Sequence, residues 1–286
     1  MKKFFIILSI STLALASCNK EKTTETRQEE EVIPQDTPAE EENGDELVET
    51  ITLEGEKLSL VSIDDSPTYP ETKLSIESPV DGSTVAAGEV SFKFKVEGGS
   101  YELGAATADQ GTKDCAASGK GQHIHLIVNN APYAASYTEE KAIELEGGNK
   151  VALAFISRSY HESLKHEGAA ALVQFQVGEE AGDPIDLEGE HLFYSRPKSG
   201  ASYSLAAGSK VLLDFYLVNT ALSAEGNYVE ATIDGETFKV TEWRAYAIQG
   251  LEVGDHTCSL KLINKDGAAI EGPFNTAEEI TFIVTE

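Results

Sequence analysis

The sequence predicts an all-β protein with two immunoglobulin-like β-sandwich domains in tandem, preceded by a disordered acidic tether. From residue 58 onward, short runs of alternating apolar and polar residues are separated by Gly, Asn and Asp turns, which is typical of half-buried strands. No run of comparable length shows the 3.6-residue period of an amphipathic helix. The pattern also occurs twice, about 100 residues apart, which indicates a duplicated domain because solenoid units are normally about 20 to 50 residues long.

The amino terminus has the features of a signal peptide. Lys2 and Lys3 precede an apolar stretch, residues 4 to 15, that is too short to span a bilayer. It ends in Leu15-Ala16-Ser17-Cys18, which resembles the lipobox of bacterial lipoproteins, where small residues precede a diacylated Cys. The resemblance implies a signal peptide over residues 1–17 and lipidation of Cys18. We therefore expect a lipid-anchored protein of the outer membrane, at the cell surface or on the periplasmic face.

The segment that follows is strongly acidic. Residues 19–56 contain 3 basic and 14 acidic residues, with Pro34 and Pro38 and few branched or aromatic side chains. Such a chain cannot bury enough apolar surface to offset its ordering entropy, so residues 18–57 are predicted to be a disordered tether. The acidic runs also resemble the surface-export signals of Bacteroidota lipoproteins, and a simple solvated stalk is the alternative.

The first domain is predicted over residues 70–178. Its expected strands include Val90 to Val96, where Phe92 and Phe94 share one face and Lys93 the other. Three further strands are expected at residues 74–76, 123–128 and 151–156.

A Gly-, Pro- and acid-rich linker is expected at residues 179–190, and the second domain at residues 191–286. The segment that begins at Arg196-Pro197 matches the one that begins at Ser78-Pro79. The strands at residues 211–217 and 230–233 match those at 90–96 and 125–128.

Charge and cysteine content exclude several classes of function. The 286 residues include 49 acidic and 22 basic side chains, a formal net charge of −27. Nucleic acid is excluded as a partner because its phosphates would be repelled, and anionic lipid headgroups are disfavoured for the same reason. Beside Cys18, the chain has only Cys115 and Cys258, one in each domain, so a disulfide between them stays open. No Cys-x-x-Cys pair is present, which argues against a thiolate metal site.

Histidines are the best candidates for a site. His123 and His125 lie on one face of a strand, opposite an apolar row, and are expected to point outward from the core. His161 follows the strand at residues 151–156 and is expected to curl over the same face, with Glu162 or His166 nearby. Imidazoles in this arrangement are typical ligands of copper or zinc. The alternative is that these histidines only hydrogen-bond loop backbone and hold the strand ends.

The same loop supports a second hypothesis. Ser157, Arg158, Ser159 and His161 supply hydroxyl groups and a guanidinium that together could hold a phosphate or a carboxylate. The alternative is that Arg158 pairs with one of the many carboxylates and is purely structural.

Two stretches carry a resemblance to a known family. Residues 121–133 and 155–163 are similar to those of a largely uncharacterised group of Bacteroidota lipoproteins and exported proteins, over about 200 residues that include both domains. Some relatives carry the label phosphopeptide-binding protein, which favours an anionic ligand. The His-x-His strand also resembles that of periplasmic copper carriers with immunoglobulin-like folds. Here the only methionine is Met1, so their Met-rich loops are missing.

The sequence contains no nucleophile elbow, zincin helix, phosphate loop or dinucleotide fingerprint, and we predict that the protein is not an enzyme. The predicted function is a binding role, with a small anion or phosphorylated peptide as ligand. Copper or zinc binding is one alternative, and an adhesion or scaffold module of an envelope complex is another.

Overall fold

Every regular element in the described part of the chain is a β-strand. The computed structural model describes residues 49–179, 182–205 and 210–286, which belong to one compact unit, Leu47–Glu286. The signal peptide, Cys18 and most of the predicted tether lie outside the described residues. Within them, no helix is long and apolar enough to cross a membrane. The strands are β1 (Thr52–Glu54), β2 (Ser59–Ser62), β3 (Lys73–Ser78), β4 (Thr84–Val85), β5 (Gly88–Glu97), β6 (His123–Val128), β7 (Ala134–Ser136), β8 (Glu140–Leu145), β9 (Gly148–Ser157), β10 (Ala170–Val177), β11 (His191–Arg196), β12 (Ser202–Ser204), β13 (Val211–Val218), β14 (Tyr228–Ile233), β15 (Glu236–Val240), β16 (Tyr246–Gln249), β17 (Gly254–Ile263) and β18 (Thr276–Thr285).

The strands form two sandwiches with the same plan, so the predicted all-β fold and the predicted duplication are confirmed. The first sandwich pairs a three-stranded sheet, β3-β5-β8, with a five-stranded sheet, β4-β10-β9-β6-β7. In the second, β11, β13 and β16 correspond to β3, β5 and β8, and the order β12-β18-β17-β14-β15 repeats the five-stranded sheet. In both, the short strand β4 or β12 pairs in parallel with the last strand, β10 or β18. Two such facing sheets give an immunoglobulin-like sandwich.

The tether prediction is wrong at its carboxyl end. Strand β1 lies within residues 18–57, and it pairs with β2, which pairs with β16 of the second sandwich. Leu58 and Leu60 are buried in the core of the second sandwich, and this apolar burial holds the segment in place. The chain therefore contributes two strands to the second sandwich before it builds the first.

The two sandwiches pack against each other through a third apolar cluster. Phe155 of β9 stacks on Tyr216 of β13 with ring centroids 4.8 Å apart. Phe193 of β11 belongs to the same cluster and stacks on Phe274 of its own sandwich at 4.7 Å. Strands β6, β9, β11 and β13 are consequently buried on both faces along most of their length. An ion pair crosses the same interface, with Lys165 Nζ 2.6 Å from Asp214 Oδ1.

Both cysteines of the folded part are free thiols. Cys258 is buried in the core of the second sandwich, as its alternation with Leu260 and Leu262 indicates. Cys115 is buried in a loop of the first sandwich that bridges to Lys210. Cys115 and Cys258 therefore do not form a disulfide between the two sandwiches in this structure.

Candidate metal centre

Strand β6 places two imidazoles on one face, as the alternation predicts. Ile124, Leu126 and Val128 pack into the core of the first sandwich, and His123 and His125 leave the opposite face. The side chains point away from the core of the first sandwich, as expected, but they do not reach the surface of the protein. Ser195 of the second sandwich contacts His125, and Tyr133, Tyr137 and His161 of the first pack on the two rings, so both histidines are 0% exposed.

His161 joins them from the loop after β9. An isolated bridge between Ser157 and Ser163 closes this loop, and the His161 N–H donates to the carbonyl of Arg158 at 2.9 Å. His161 has a φ of 69°, a left-handed conformation that costs energy for a residue with a side chain and often occurs at functional sites. The expectation that His161 lies over the same face as His123 and His125 is confirmed.

The three rings converge on one point. The Nε2 atom of His123 lies 2.9 Å from Nε2 of His125 and 3.1 Å from Nδ1 of His161. All three ligand atoms lie within 4.8 Å of one another. Two nitrogens bound tetrahedrally to one zinc ion at 2.0 to 2.1 Å would be about 3.3 Å apart. The two shorter separations are close to that value.

A hydrogen bond on the far side of the His123 ring identifies which of its nitrogens carries a lone pair. Nδ1 of His123 lies 2.8 Å from the carbonyl oxygen of Gly121, which can only accept, so this nitrogen carries the ring proton. Nε2 of His123 therefore presents a lone pair to both neighbours. Nδ1 of His125 lies 3.2 Å from Oγ of Ser195, a hydroxyl that can accept in the same way. Such outer partners orient metal-bound histidines in proteins.

Burial keeps the imidazoles neutral. It lowers the pKa of His123 to about 4 and that of His161 to about 2, and it lowers the pKa of His125 well below its usual value. Neutral imidazole is the form that binds metal.

These low pKa values predict that the metal-free protein loses stability in acid. Below about pH 6.5 the unfolded chain takes up protons that the folded imidazoles refuse, so each histidine lowers the unfolding free energy by up to about 1.4 kcal/mol per pH unit. For His123 this loss should run from about pH 6.5 to about pH 4. Urea unfolding at pH 7.5 and pH 5 measures it, and His123→Gln should show a smaller difference. Equal differences in both proteins would contradict the assignment.

Tyr133 of the first sandwich and two cations of the second lie beside the cluster. The Tyr133 ring stacks on His125, with centroids 3.7 Å apart and planes within 4°. Arg196 donates to the Tyr133 hydroxyl at 2.7 Å, and the Lys198 ammonium lies 4.8 Å from the Tyr133 ring centre. The register of β11 on β13 shifts between Tyr194 and Arg196, which lets the consecutive residues Ser195 and Arg196 both reach the first sandwich.

The residues of the predicted anion site form hydrogen bonds and an ion pair within the protein. The Arg158 guanidinium donates from Nε and NH2 to the carbonyl of Pro67, at 3.0 and 2.6 Å, and NH1 lies 3.2 Å from Glu162. The Ser157 hydroxyl donates to the carbonyl of Arg158, and the Ser159 hydroxyl accepts from the N–H of Thr107. These groups are satisfied inside the protein, so Arg158 has a structural role in place of the predicted anion-binding role.

Two further candidates also lie away from the cluster. Glu162 faces Arg158 and accepts a hydrogen bond from the Ser66 hydroxyl at 2.6 Å. His166 contacts the carbonyl of Thr72 through Nε2 at 2.8 Å. The ligand set that the structure brings together is therefore His123, His125 and His161.

No family model matches the sequence, and no curated protein matches it. Solved structures with distant similarity include fibronectin(III)-like modules of CbhA from Clostridium thermocellum, with 14% identity over 74% of this chain and 94% of that chain and a TM-score of 0.24. Another is SGBP-B of Bacteroides ovatus in complex with a mixed-linkage heptasaccharide, with 11% identity over 74% and 70% and a TM-score of 0.23. A third is the Ig1-2 module of the Drosophila receptor tyrosine phosphatase DLAR, with 9% identity over 75% and 100% and a TM-score of 0.20.

Proposed function

We propose that this protein is an extracytoplasmic lipoprotein, anchored through Cys18, that binds one Cu²⁺ or Zn²⁺ ion through His123, His125 and His161. The observation that carries the proposal is the position of the His123 Nε2 lone pair, 2.9 and 3.1 Å from two further ring nitrogens. Two facing ring nitrogens can share at most one proton. The ring proton of His123 lies on Nδ1, which donates it to the Gly121 carbonyl. One cation accepts all three lone pairs at once.

The chemistry of the cluster favours these two ions. Its ligands are three neutral imidazoles, the donor that both Cu²⁺ and Zn²⁺ prefer, and among the described residues no other His, Cys, Asp or Glu joins the group. The thiolate and thioether donors that select Cu⁺ are not part of it. Three protein ligands leave a fourth position for another molecule.

Metal content of the purified full-length chain tests the proposal. After equilibration with Cu²⁺ or Zn²⁺ and removal of excess metal, we expect about one ion per chain by mass spectrometry of the metal. The double variant His123→Ala, His125→Ala should lose it. His166→Ala, in the same loop as His161, is the matched control and should retain it.

Equal, substoichiometric metal in the unmodified chain and the double variant would overturn the proposal. Loss of metal in the His166→Ala control would show that disturbance of the loop, and not ligand removal, causes the effect. The alternative role as an adhesion or scaffold module stays a prediction.

A further inference from the structure

The surroundings of the His cluster carry positive charge without a matching carboxylate. Arg196 is 6% exposed, its Nε is buried without a hydrogen-bond partner, and its NH1 donates to a neutral phenol, Tyr133. Among residues 49–179, 182–205 and 210–286, no acidic side chain forms an ion pair with Arg196 or with Lys198. A buried guanidinium normally has an anionic partner because its desolvation is costly. A divalent ion beside it would add to the uncompensated charge.

The Tyr133 oxygen lies too far from the plane of the His125 ring to bind the metal ion directly. An imidazole binds metal in the plane of its ring, and the Tyr133 ring is stacked on the His125 ring with centroids 3.7 Å apart and nearly parallel planes. A metal bond to nitrogen or oxygen is about 2.0 to 2.2 Å long. The phenol oxygen therefore lies beyond bonding distance of a metal held in the His125 plane.

The Tyr133 hydroxyl is placed as a hydrogen-bond donor instead. A phenol has one O–H donor and can accept at the same oxygen. The oxygen accepts from Arg196 NH1 at 2.7 Å and lies 3.4 Å from Nδ1 of His161. A hydroxyl that accepts from a cation is a stronger donor through its own hydrogen, since hydrogen bonds in a chain polarise one another.

We propose that the fourth position of the metal centre takes a small exogenous anion, to which Tyr133 donates a hydrogen bond while Arg196 and Lys198 supply compensating charge. This inference rests on the proposed metal site. The two sandwiches then have different roles. The first provides every metal ligand, and the second provides Arg196 and Lys198, whose positive charge favours an anion. Lys198 contributes from the rim, where its ammonium also donates to the backbone carbonyl of Tyr133 at 3.2 Å.

Azide titration of the Cu²⁺-loaded full-length chain tests the inference. Azide bound to Cu²⁺ adds a charge-transfer absorption, so its dissociation constant can be read directly. We expect Tyr133→Phe and Arg196→Gln each to weaken azide binding about 10-fold, the effect of one hydrogen bond to a charged group, and Lys198→Gln to weaken it less. All three variants should keep one Cu²⁺ per chain, which also shows that they are folded.

Tyr228→Phe and Lys239→Gln are matched controls. Lys239 Nζ lies 4.6 Å from the Tyr228 ring centre on the second sandwich, away from the His cluster, and neither change should alter azide binding. A chain that binds one Cu²⁺ but shows no azide-dependent spectrum, or equal azide affinity in Tyr133→Phe, would overturn the anion site alone. A nitrogen site that holds Zn²⁺ generally binds Cu²⁺ more tightly, so a chain that binds no Cu²⁺ would overturn the metal site and this inference together.

Discussion

Asp214→Ala is expected to lower the free energy of unfolding by about 3 to 5 kcal/mol, the usual cost of removing one partner from a buried ion pair. The Asp214 side chain is fully buried between the sandwiches and accepts from the Lys165 ammonium at 2.6 Å and the Ser163 hydroxyl at 3.0 Å. Without the carboxylate, Lys165 keeps a largely buried charge with no opposite charge beside it. Urea unfolding of the metal-free chain measures the loss.

Asp266→Ala is the matched control. Asp266 forms an ion pair of similar length, 2.8 Å, with Lys265, but both side chains are exposed, so its removal should cost less than about 1 kcal/mol. A similar small loss for Asp214→Ala would mean that the interface pair contributes no more than a surface pair does. Metal stoichiometry should be unchanged in both variants, because the ligands come from neither residue.

Phe193→Ala is expected to destabilise the protein by a comparable amount, about 3 to 5 kcal/mol, because it opens a cavity in the apolar cluster between the sandwiches. Phe193 is fully buried and stacks on Phe274. The double variant Phe193→Ala, Phe274→Ala should cost less than the sum of the two single variants, since the two rings contact each other. Thermal and urea unfolding give the three values.

Val253→Ala serves as the control for loss of an apolar side chain. Val253 is 59% exposed, so its truncation should change stability by less than about 0.5 kcal/mol. If Phe193→Ala lowered the free energy of unfolding as little as Val253→Ala does, the cluster between the sandwiches would not be a core. Since all three histidine ligands belong to the first sandwich, Phe193→Ala should also retain one metal ion per chain.

Much of the fold follows from local pattern. The alternation of Phe92, Lys93 and Phe94 is visible without any neighbour, and it gave the strand and its buried face correctly. The matched segments at Ser78-Pro79 and Arg196-Pro197 indicated two copies of one domain, and the two sheet orders agree apart from β1 and β2, which extend one sheet of the second sandwich. The strand pair before residue 70 was missed because Leu58 and Leu60 become a core only when β2 lies beside β16.

For the site, the sequence by itself determined that His123 and His125 share a strand face, and it placed His161 close enough to join them. Only the tertiary structure decided that this face is covered, that Arg158 is satisfied internally, and that Tyr133 and Arg196 lie beside the cluster. The reason is physical. Side-chain direction along a strand is a local property with a period of two residues, whereas the covering of a face depends on how sheets from distant parts of the chain pack. The positive charge near the histidines comes from Arg196 and Lys198, about 70 positions after His125, and no local spacing encodes that contact.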